Sequence, residues 1–329
     1  MNEKTVVIGS NSFSGSHFVD FALQEGLEVV GISRSLEPHA VFLPYKIKKN
    51  PKFKFYQLDL NNDLDKIMEV IRVFQPDYVV NFAAQSMVGE SWAHPEHWFQ
   101  TNVVANIKLH DQLRRCLFLK KYVHVSTPEV YGSCAGLVQE NTTYNPSTPY
   151  AVSRAAADLS LMSFYKTYNF PVVFTRSANV YGPGQQLYRI IPKTILCFLL
   201  GKKIPLHGGG HSVRSFIHIR DVVDGTLKAA RLGQGADIFH FSTLRQVSIR
   251  FLVEMIARQM NVSFEDNVDL VSDRPGKDAA YLLDSSRAKN ILHWEDKIGL
   301  EQGIEETISW VKDNLEVLNN QPLAYVHKP

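Results

Sequence analysis

Residues 5–15, TVVIGSNSFSG, join a short apolar run to a turn rich in glycine and serine. The apolar run predicts a buried strand, and the turn opens a helix that begins near Ser16. In a dinucleotide-binding fold, such a turn directs its backbone amides and the helix N-terminus toward a pyrophosphate. We therefore expect a cofactor-binding loop that contains Gly9, Ser12, Phe13, Ser14 and Gly15.

Apolar runs of strand length alternate with helical patterns through the first half of the chain. The runs lie at residues 5–8, 28–32, 53–58, 78–82, 122–125 and 172–176. Apolar spacing of three and four recurs between them, as in Leu64, Ile67, Met68 and Ile71. The alternation predicts an α/β fold with βαβ units in a Rossmann-type, doubly wound parallel sheet.

The second half of the chain is less regular and contains a glycine-rich break at residues 207–210. We expect residues 1–180 to form the cofactor-binding domain, joined by later strands from about 212–245. Residues 181–329 should mainly form a smaller C-terminal α/β lobe that binds substrate.

Composition argues for an ordinary globular protein. The chain has 329 residues, and its 35 lysines and arginines nearly balance 33 aspartates and glutamates, so we expect no nucleic-acid partner. The most apolar later stretch, residues 190–200, is too short to span a bilayer and contains Pro192 and Lys193. No basic leader with a cleavage site precedes the first strand, so we expect neither a membrane partner nor export.

The cysteines and histidines bear on the cellular location and on metal binding. The three cysteines are odd in number and widely spaced, which favours reduced thiols and a cytoplasmic location. They are Cys116, Cys134 and Cys197. The histidines at positions 207, 211 and 218 lack metal-ligand spacing, so we predict no metal site.

A second motif, YAVSR at residues 150–154, lies downstream of STPEVYG at residues 126–132. Residues four apart share one face of a helix, so Tyr150 and Arg154 should point to the same side. A fixed positive charge favours the phenolate, which would lower the pKa of Tyr150 toward working pH. Tyr150 could then take the proton of a sugar hydroxyl while a nicotinamide takes the hydride.

These motifs together resemble the extended short-chain dehydrogenase/reductase family. Two departures stand out: Ser12 replaces the middle glycine of the loop, and Arg154 replaces the usual lysine. Arg154 cannot deprotonate and has a wider, flatter head than lysine. The resemblance implies further cofactor-binding positions at Asp59, Leu60, Ala83, Ala84, Gln85, Asn102, Ser126, Tyr150 and Arg154.

Cofactor choice depends on the end of the second predicted strand. An NAD-selective fold usually presents a carboxylate there, and this carboxylate would repel a 2′-phosphate. Ser33 and Arg34 instead offer hydrogen bonds and positive charge. We therefore favour NADP over NAD.

Within that family, the chain resembles the nucleotide-sugar 4,6-dehydratases. The likeness rests on STPEVYG at 126–132, NVYGPGQ at 179–185, RSFIHIRD at 214–221 and DRPGKD at 273–278. It implies a nucleotide-sugar substrate and a homodimer or homotetramer. Arginine can hold a phosphate through two parallel hydrogen bonds. The expected substrate-binding residues are Ser86, Asn179, Arg189, Lys193, Arg214 and Arg274.

The resemblance also implies a reaction. Tyr150 removes the O4 proton as hydride leaves C4, and Thr127 hydrogen-bonds O4. Glu129 abstracts H5, the C6 hydroxyl leaves as water, and the hydride returns to C6. The catalytic set is thus Thr127, Glu129, Tyr150 and Arg154.

Two alternatives stay open at this point. Pro128 occupies the position where many dehydratases of thymidine nucleotide sugars have an aspartate that protonates the leaving hydroxyl. A base at Glu129 beside a 4-ketone could equally serve an epimerase, and a decarboxylase shares this motif. Because Ser12, Pro128 and Arg154 all depart from the pattern, a relative that binds nucleotide sugars without turnover is the other alternative.

Overall fold

The computed structural model of the chain describes residues 3–134, 136–141, 143–272 and 282–328. The strands are β1 (Lys4–Ile8), β2 (Glu28–Ser33), β3 (Phe53–Gln57), β4 (Tyr78–Asn81), β5 (Lys121–Val125), β6 (Leu137–Val138), β7 (Val172–Ser177), β8 (Asn179–Tyr181), β9 (Ile204–His207), β10 (Val213–His218), β11 (Ile238–Phe241), β12 (Gln246–Ser248), β13 (Val268–Val271) and β14 (Leu282–Leu283).

The helices of the same residues are α1 (Phe13–Gln24), α2 (Leu64–Phe74), α3 (Pro95–Phe99), α4 (Asn106–Leu113), α5 (Pro149–Tyr168), α6 (Ile190–Leu199), α7 (Ile219–Leu232), α8 (Ile249–Met260), α9 (Phe264–Asn267), α10 (Ser286–Leu292), α11 (Leu300–Asp313) and α12 (Leu315–Asn319). A π-helical segment, Gln100–Ala105, joins α3 to α4. No helix within the described ranges has both the length and the apolar character needed to cross a membrane.

The central sheet has the order β11-β7-β5-β4-β1-β2-β3 among the described residues. All of its neighbouring strands run parallel. The six runs predicted as strands all lie in this sheet, so the prediction of a doubly wound parallel sheet is confirmed. The strand order reverses between β1 and β4, and ligands of such sheets bind at the carboxyl ends of the strands at this point.

Burial on both faces explains the continuous apolar strands. Val7 of β1 lies in a core cluster with Phe18 of α1 and Leu227 of α7. Its neighbour Val6 faces the other side and lies in a cluster with Ile67 of α2. One apolar run therefore supplies both cores, which fixes β1 at the centre of the sheet and aims the loop after it at the crevice.

The second half of the described chain forms smaller sheets around its own core. β12, β10 and β8 make a three-stranded sheet, and β13 pairs with β9. Ile195 of α6, Leu252 of α8 and Ile304 of α11 are fully buried in one cluster. Of the strands in the 212–245 region, β11 joins the central sheet, whereas β10 pairs with β8 and β12.

Candidate functional site

The loop after β1 is tight, and glycine is required at its first position. Gly9 has φ +85°, and a Cβ there would lie 2.6 Å from the backbone nitrogen of Ala83. Ser12 has φ −72°, which any residue with a side chain can adopt. Its Oγ accepts a hydrogen bond from the Gly15 N–H (3.0 Å) and donates to the Gly9 carbonyl (2.7 Å). Ser12 therefore caps α1, and the loop keeps its shape without the family's middle glycine.

A cavity of about 340 Å³ lies over this loop at the ends of β1, β2 and β4. A close-fitting loop and a helix N-terminus on one side of the cavity fit the pyrophosphate of a dinucleotide. Nine of the predicted cofactor residues line this cavity: Gly9, Ser12, Ser33, Arg34, Asp59, Leu60, Ala83, Ala84 and Gln85.

Three residues predicted to contact the cofactor, Phe13, Gly15 and Asn102, are absent from the residues that line the cavity. Phe13 packs into the core cluster beneath the sheet, and Gly15 is buried against the loop. Asn102 is fully buried, and its Oδ1 accepts from the Gln85 N–H (2.8 Å). Its Nδ2 donates to the Gln85 carbonyl (3.1 Å) and to Ser153 of α5 (2.9 Å). Asn102 therefore holds the loop after β4 in place and ties it to the helix that begins with the catalytic motif.

Two further residues predicted to contact the cofactor are Ser14 and Ser33. Ser14 is half-buried and is absent from the residues that line the cavity. Ser33 lines it, but its Oγ accepts from the Asn11 N–H (2.9 Å). Ser33 therefore supports the turn after β1, and Arg34 beside it in the cavity carries a positive charge that can meet a phosphate.

The catalytic motif sits at the start of α5. Thr148 caps this helix by accepting from the Ala151 N–H (3.1 Å), and Pro149 occupies its first position. Tyr150 is buried, and its hydroxyl hydrogen-bonds Thr127. The charge of Glu129 acts on Tyr150 as well. The structure thus brings Thr127, Glu129 and Tyr150 into one neighbourhood.

Burial raises the pKa of Tyr150 above that of a free tyrosine. The positive charge of Arg154 opposes this change and Glu129 adds to it, while the hydrogen bond from Thr127 and the charge of Arg189 lower the pKa. The expectation of a lowered pKa was therefore wrong in its net direction. Arg154 acts in the predicted sense but does not outweigh the loss of solvent.

The guanidinium of Arg154 is buried and lies at the end of β5. Its side chain is 2% exposed, and its guanidinium donates to the Val125 carbonyl at the end of β5. It also lies 3.4 Å from Nε2 of His124. Burial, and then the charge of Arg154, hold the pKa of His124 well below its usual range. Arg154 is absent from the residues that line the cavity, and its contact with the cofactor ribose stays a prediction.

A buried polar cluster supports the motif from below. Asp158 of α5 and Arg176 of β7 form a fully buried ion pair of 2.8 Å. Ser126 donates its hydroxyl proton to Asp158 (2.7 Å) and is directed there rather than into the cavity. Sequence reasoning missed Asp158 and Arg176. Asp158 lies one further helical turn beyond Tyr150 and Arg154 and shares their face of α5, so its spacing was an available signal.

The predicted substrate residues are placed unevenly. Arg189 precedes α6, is exposed, and lies close enough for its charge to lower the pKa of Tyr150. Lys193 follows on α6 and is half-buried. Arg214 donates to the carbonyl of the preceding Val213 (2.8 Å).

The remaining predicted substrate residues are Asn179, Ser86 and Arg274. Asn179 donates to the Ser215 carbonyl across β8 and β10 (3.2 Å). Ser86 is exposed after β4. Arg274 and the DRPGKD block lie outside the described residues. Among the described residues, His94, Glu96 and His97 group their ligand atoms within 4.8 Å of one another, and the expectation of no metal stays a prediction.

The cavity also has residues that the sequence did not single out. Asn11 and Thr101 come from elements already implicated, whereas Gln186 comes from the loop before α6. Lys328 comes from the far end of the described chain. No motif or periodic pattern marks Lys328, because its contacts are with residues hundreds of positions away.

The parallel sheet, the glycine loop beneath a cavity and the Thr127–Tyr150 pair define an extended short-chain dehydrogenase/reductase. The family model described as GDP-mannose 4,6 dehydratase matches residues 6–307. The chain therefore belongs to the GDP-mannose 4,6-dehydratase family. The prediction of a nucleotide-sugar 4,6-dehydratase is thereby confirmed at the level of the family.

Individual relatives agree with this assignment. The chain is 31% identical to the dTDP-glucose 4,6-dehydratase of Xanthomonas campestris pv. campestris, over 94% of this chain and 93% of that protein. It resembles the structure of DesIV, the dTDP-glucose 4,6-dehydratase of Streptomyces venezuelae, which has NAD bound, with a TM-score of 0.88 and 28% identity. That match covers 95% of this chain and 98% of DesIV.

A structure of UDP-glucose 4-epimerase from Thermotoga maritima with UDP-glucose is also similar. Its TM-score is 0.86 at 25% identity, and the match covers 95% of this chain and 99% of the epimerase. The shared architecture therefore extends over both reaction types.

Proposed function

We propose that this chain is a lyase that converts a nucleotide hexose to its 4-keto-6-deoxy derivative. The convergence of Thr127, Glu129 and Tyr150 at the end of β5 and the start of α5 carries the proposal. An acid–base pair beside a dinucleotide cavity is what transient oxidation followed by elimination requires. The curated relatives named as 4,6-dehydratases support the same reaction.

Each member of the cluster has a role that its surroundings support. Tyr150, hydrogen-bonded to Thr127, takes the proton of the sugar O4. The charges of Arg154 and Arg189 favour the phenolate and offset part of the burial that raises its pKa. A bound nicotinamide would accept a hydride from the sugar and return it. Glu129, half-buried beside Tyr150, removes the proton from C5.

Protonation of the leaving hydroxyl needs an acid, and Pro128 cannot serve. Pro128 is buried at the first position of the turn Pro128–Tyr131, which Thr127 caps. Glu129 follows it, and it is the carboxylate whose charge reaches Tyr150 among the described residues. Glu129 therefore gives the proton that it took from C5 to the leaving hydroxyl, so one side chain acts first as base and then as acid. C5 takes up a proton again as the hydride returns to C6, and this uptake balances the proton that Tyr150 took from O4.

An epimerase or decarboxylase is the second candidate. The absence of a carboxyl group at position 128 favours it, because reversing a stereocentre beside a 4-ketone requires no leaving-group acid. The structural likeness to UDP-glucose 4-epimerase agrees with this candidate.

For the cofactor, we favour NADP over NAD. Among the described residues, the end of β2 presents Ser33, Arg34 and Ser35 to the cavity, and none of these is acidic. Arg34 suits a 2′-phosphate, which a carboxylate would repel. The solved DesIV structure holds NAD, so NAD is the alternative.

We also propose a domain division, an oligomeric state and a cellular location for this chain. The chain would divide into a cofactor domain of residues 1–180 and a substrate lobe of residues 181–329. A homodimer or homotetramer would form partly on the helices before Thr127 and after Tyr150, where Val104, Val152 and Leu159 are 40%, 39% and 52% exposed. The cytoplasmic location stays a prediction.

Product analysis tests the proposed reaction. The purified protein is incubated with a panel of nucleotide hexoses, with NADP, with NAD and without addition, and product masses are read. A product lighter by one water, without accumulation of reduced cofactor, is expected. An isomer of unchanged mass would favour the epimerase, loss of carbon dioxide would favour the decarboxylase, and no product despite binding would favour a relative without turnover.

A further inference from the structure

Residues 320–328, here called the strap, follow α12 and run back toward the cofactor cavity. Their burial alternates: the odd positions from Gln321 to His327 are half-buried and the even positions from Pro322 to Lys328 are exposed. Such a period of two is that of an extended chain that lays one face on the protein. The strap is therefore an extended segment that packs one face against the protein surface.

Three side chains of the strap pack against the rest of the protein. Leu323 packs against the core of the second lobe. Tyr325 makes an edge contact with Tyr188, with 5.5 Å between ring centroids. His327 lies nearly parallel to the fully buried Trp98, with centroids 5.0 Å apart and 9° between the rings.

His327 is also fixed by a hydrogen bond. Its Nε2 lies 2.8 Å from Nδ1 of His97, so one imidazole donates and the other accepts. Trp98 and His97 both belong to α3, which lies directly before the π-helical segment that holds Asn102. The strap thus docks on the elements that shape the loop after β4.

The next residue reaches the cavity itself. The Lys328 carbonyl accepts from Nε2 of Gln85 (2.7 Å) and from the guanidinium of Arg34 (3.0 Å). Gln85 follows β4 and Arg34 follows β2, and β1 lies between these strands in the sheet. Because the Lys328 carbonyl bonds both Gln85 and Arg34, the strap passes over the loop that follows β1. Lys328 therefore faces the helix N-terminus where a pyrophosphate binds.

The charges at this crossing suit an anionic ligand. The Lys328 ammonium lies 3.5 Å from the Ser35 hydroxyl, close to Arg34. Among the described residues that line the cavity, Asp59 is the only acidic one. Its carboxylate already accepts from the Asn61 N–H (2.9 Å) and the Asn62 amide (3.1 Å).

We propose that the strap is the outer wall of the cofactor site: Lys328 completes the phosphate-binding surface, and His327, seated on Trp98, holds it there. This inference rests on the proposed function, in which the hydride taken from the sugar returns to it. The dinucleotide must then stay bound through the whole reaction, and a wall across its phosphates slows its release. His327 is a positioning residue, since it acts through Lys328.

Cofactor release measured without any sugar tests this inference. Dissociation rates of NADPH and NADH are read by fluorescence for the full chain and for His327→Ala, with dissociation constants for NADP and NAD from calorimetry. Loss of the ring contact and the hydrogen bond should speed release about tenfold. His327→Phe, which keeps the ring, should restore most of the retention.

Two further variants complete the design. Lys328→Ala should weaken binding by about threefold at low salt and less at high salt, because exposed charges are screened. Val326→Ala, in the strap but 63% exposed, is the matched control and should leave release unchanged. Melting temperatures check that each variant is folded.

Unchanged release in folded His327→Ala protein would overturn the inference and leave the proposed function intact. Tighter binding in that variant would also overturn it, because the strap would then compete with the cofactor. A full-length chain that binds neither dinucleotide would instead overturn the proposed function, and the inference with it.

Discussion

The inner and outer walls of the cofactor cavity are built in different ways. The inner wall consists of the ends of β1, β2 and β4 that line the cavity, together with the adjoining end of β5 and the start of α5, and it rests on groups with no exposure, such as Asp158 and Arg176. The outer wall is the strap, whose side chains are half-buried at most. The inner wall is therefore part of the fold, whereas the outer wall is an attachment to it.

This difference has an energetic consequence. Removing one partner of a buried ion pair leaves a charge without solvent or partner, which is strongly destabilising. Removing an exposed or half-buried contact exposes its partner to water at little cost. Substitutions in the inner wall should therefore affect folding or chemistry, whereas those in the strap should affect cofactor release alone.

The largest effect should come from the inner wall's reacting group. Tyr150→Phe removes the hydroxyl that we propose takes the O4 proton, and turnover should fall about a hundredfold to ten-thousandfold. Steady-state rates with the substrate identified by product analysis measure this loss. Cofactor binding should be nearly unchanged, and a variant that keeps more than a tenth of the activity would contradict the assigned role.

The support beneath that group should matter most for stability. Asp158→Ala leaves Arg176 buried without its carboxylate, which should lower the free energy of unfolding by about 3–5 kcal/mol. Denaturant unfolding measures it. Asp224→Ala, which breaks the more exposed pair with Lys228 (3.0 Å), is the control and should cost less than about 1 kcal/mol. Equal costs would remove the distinction between a buried support and a surface contact.

Acidic pH should lower the free energy of unfolding, because buried histidines lie in the core around the inner wall. Burial lowers the pKa of His110 to about 3, and burial, followed by the charge of Arg176, lowers that of His240 to about 3. The unfolded chain takes up protons below its ordinary histidine pKa of about 6.5, whereas these folded groups do not. The stabilisation that comes from keeping these two histidines uncharged is therefore fully present above pH 6.5 and is lost as pH falls toward 3.

The expected size at pH 5 is about 2 kcal/mol for each of these two histidines. Unfolding free energies at pH 7.5, 6 and 5 measure the loss. His110→Gln should reduce the pH dependence relative to the unsubstituted chain. A flat profile between pH 7.5 and 5 would show that these buried imidazoles do not govern acid stability.

The smallest effect on stability should come from the strap. His327→Ala should change the free energy of unfolding by less than about 1 kcal/mol, because the ring is half-buried and its partner His97 can meet water. The same denaturant series gives this value beside that of Asp158→Ala. A loss as large as that of Asp158→Ala would mean that the strap belongs to the folding core.

The site was predictable where its residues lie close in sequence. Gly9, Ser12 and the start of α1 form one turn, and Thr127 and Glu129 form another, so a short motif contains most of the local geometry. The roles of buried side chains were less predictable. Asn102 was expected at the cofactor but holds the Gln85 backbone, because a buried amide bonds whichever polar groups the packing places beside it.

The sequence by itself determined the parallel sheet, the loop after β1 and the Thr127–Tyr150 motif, because these follow from apolar periodicity and local turn chemistry. Tertiary structure alone decided that Arg154 turns toward Val125 and that burial raises the pKa of Tyr150. It also decided that Lys328 meets Gln85, 243 positions earlier in the chain. A contact at that separation depends on how whole elements pack, so no local pattern records it.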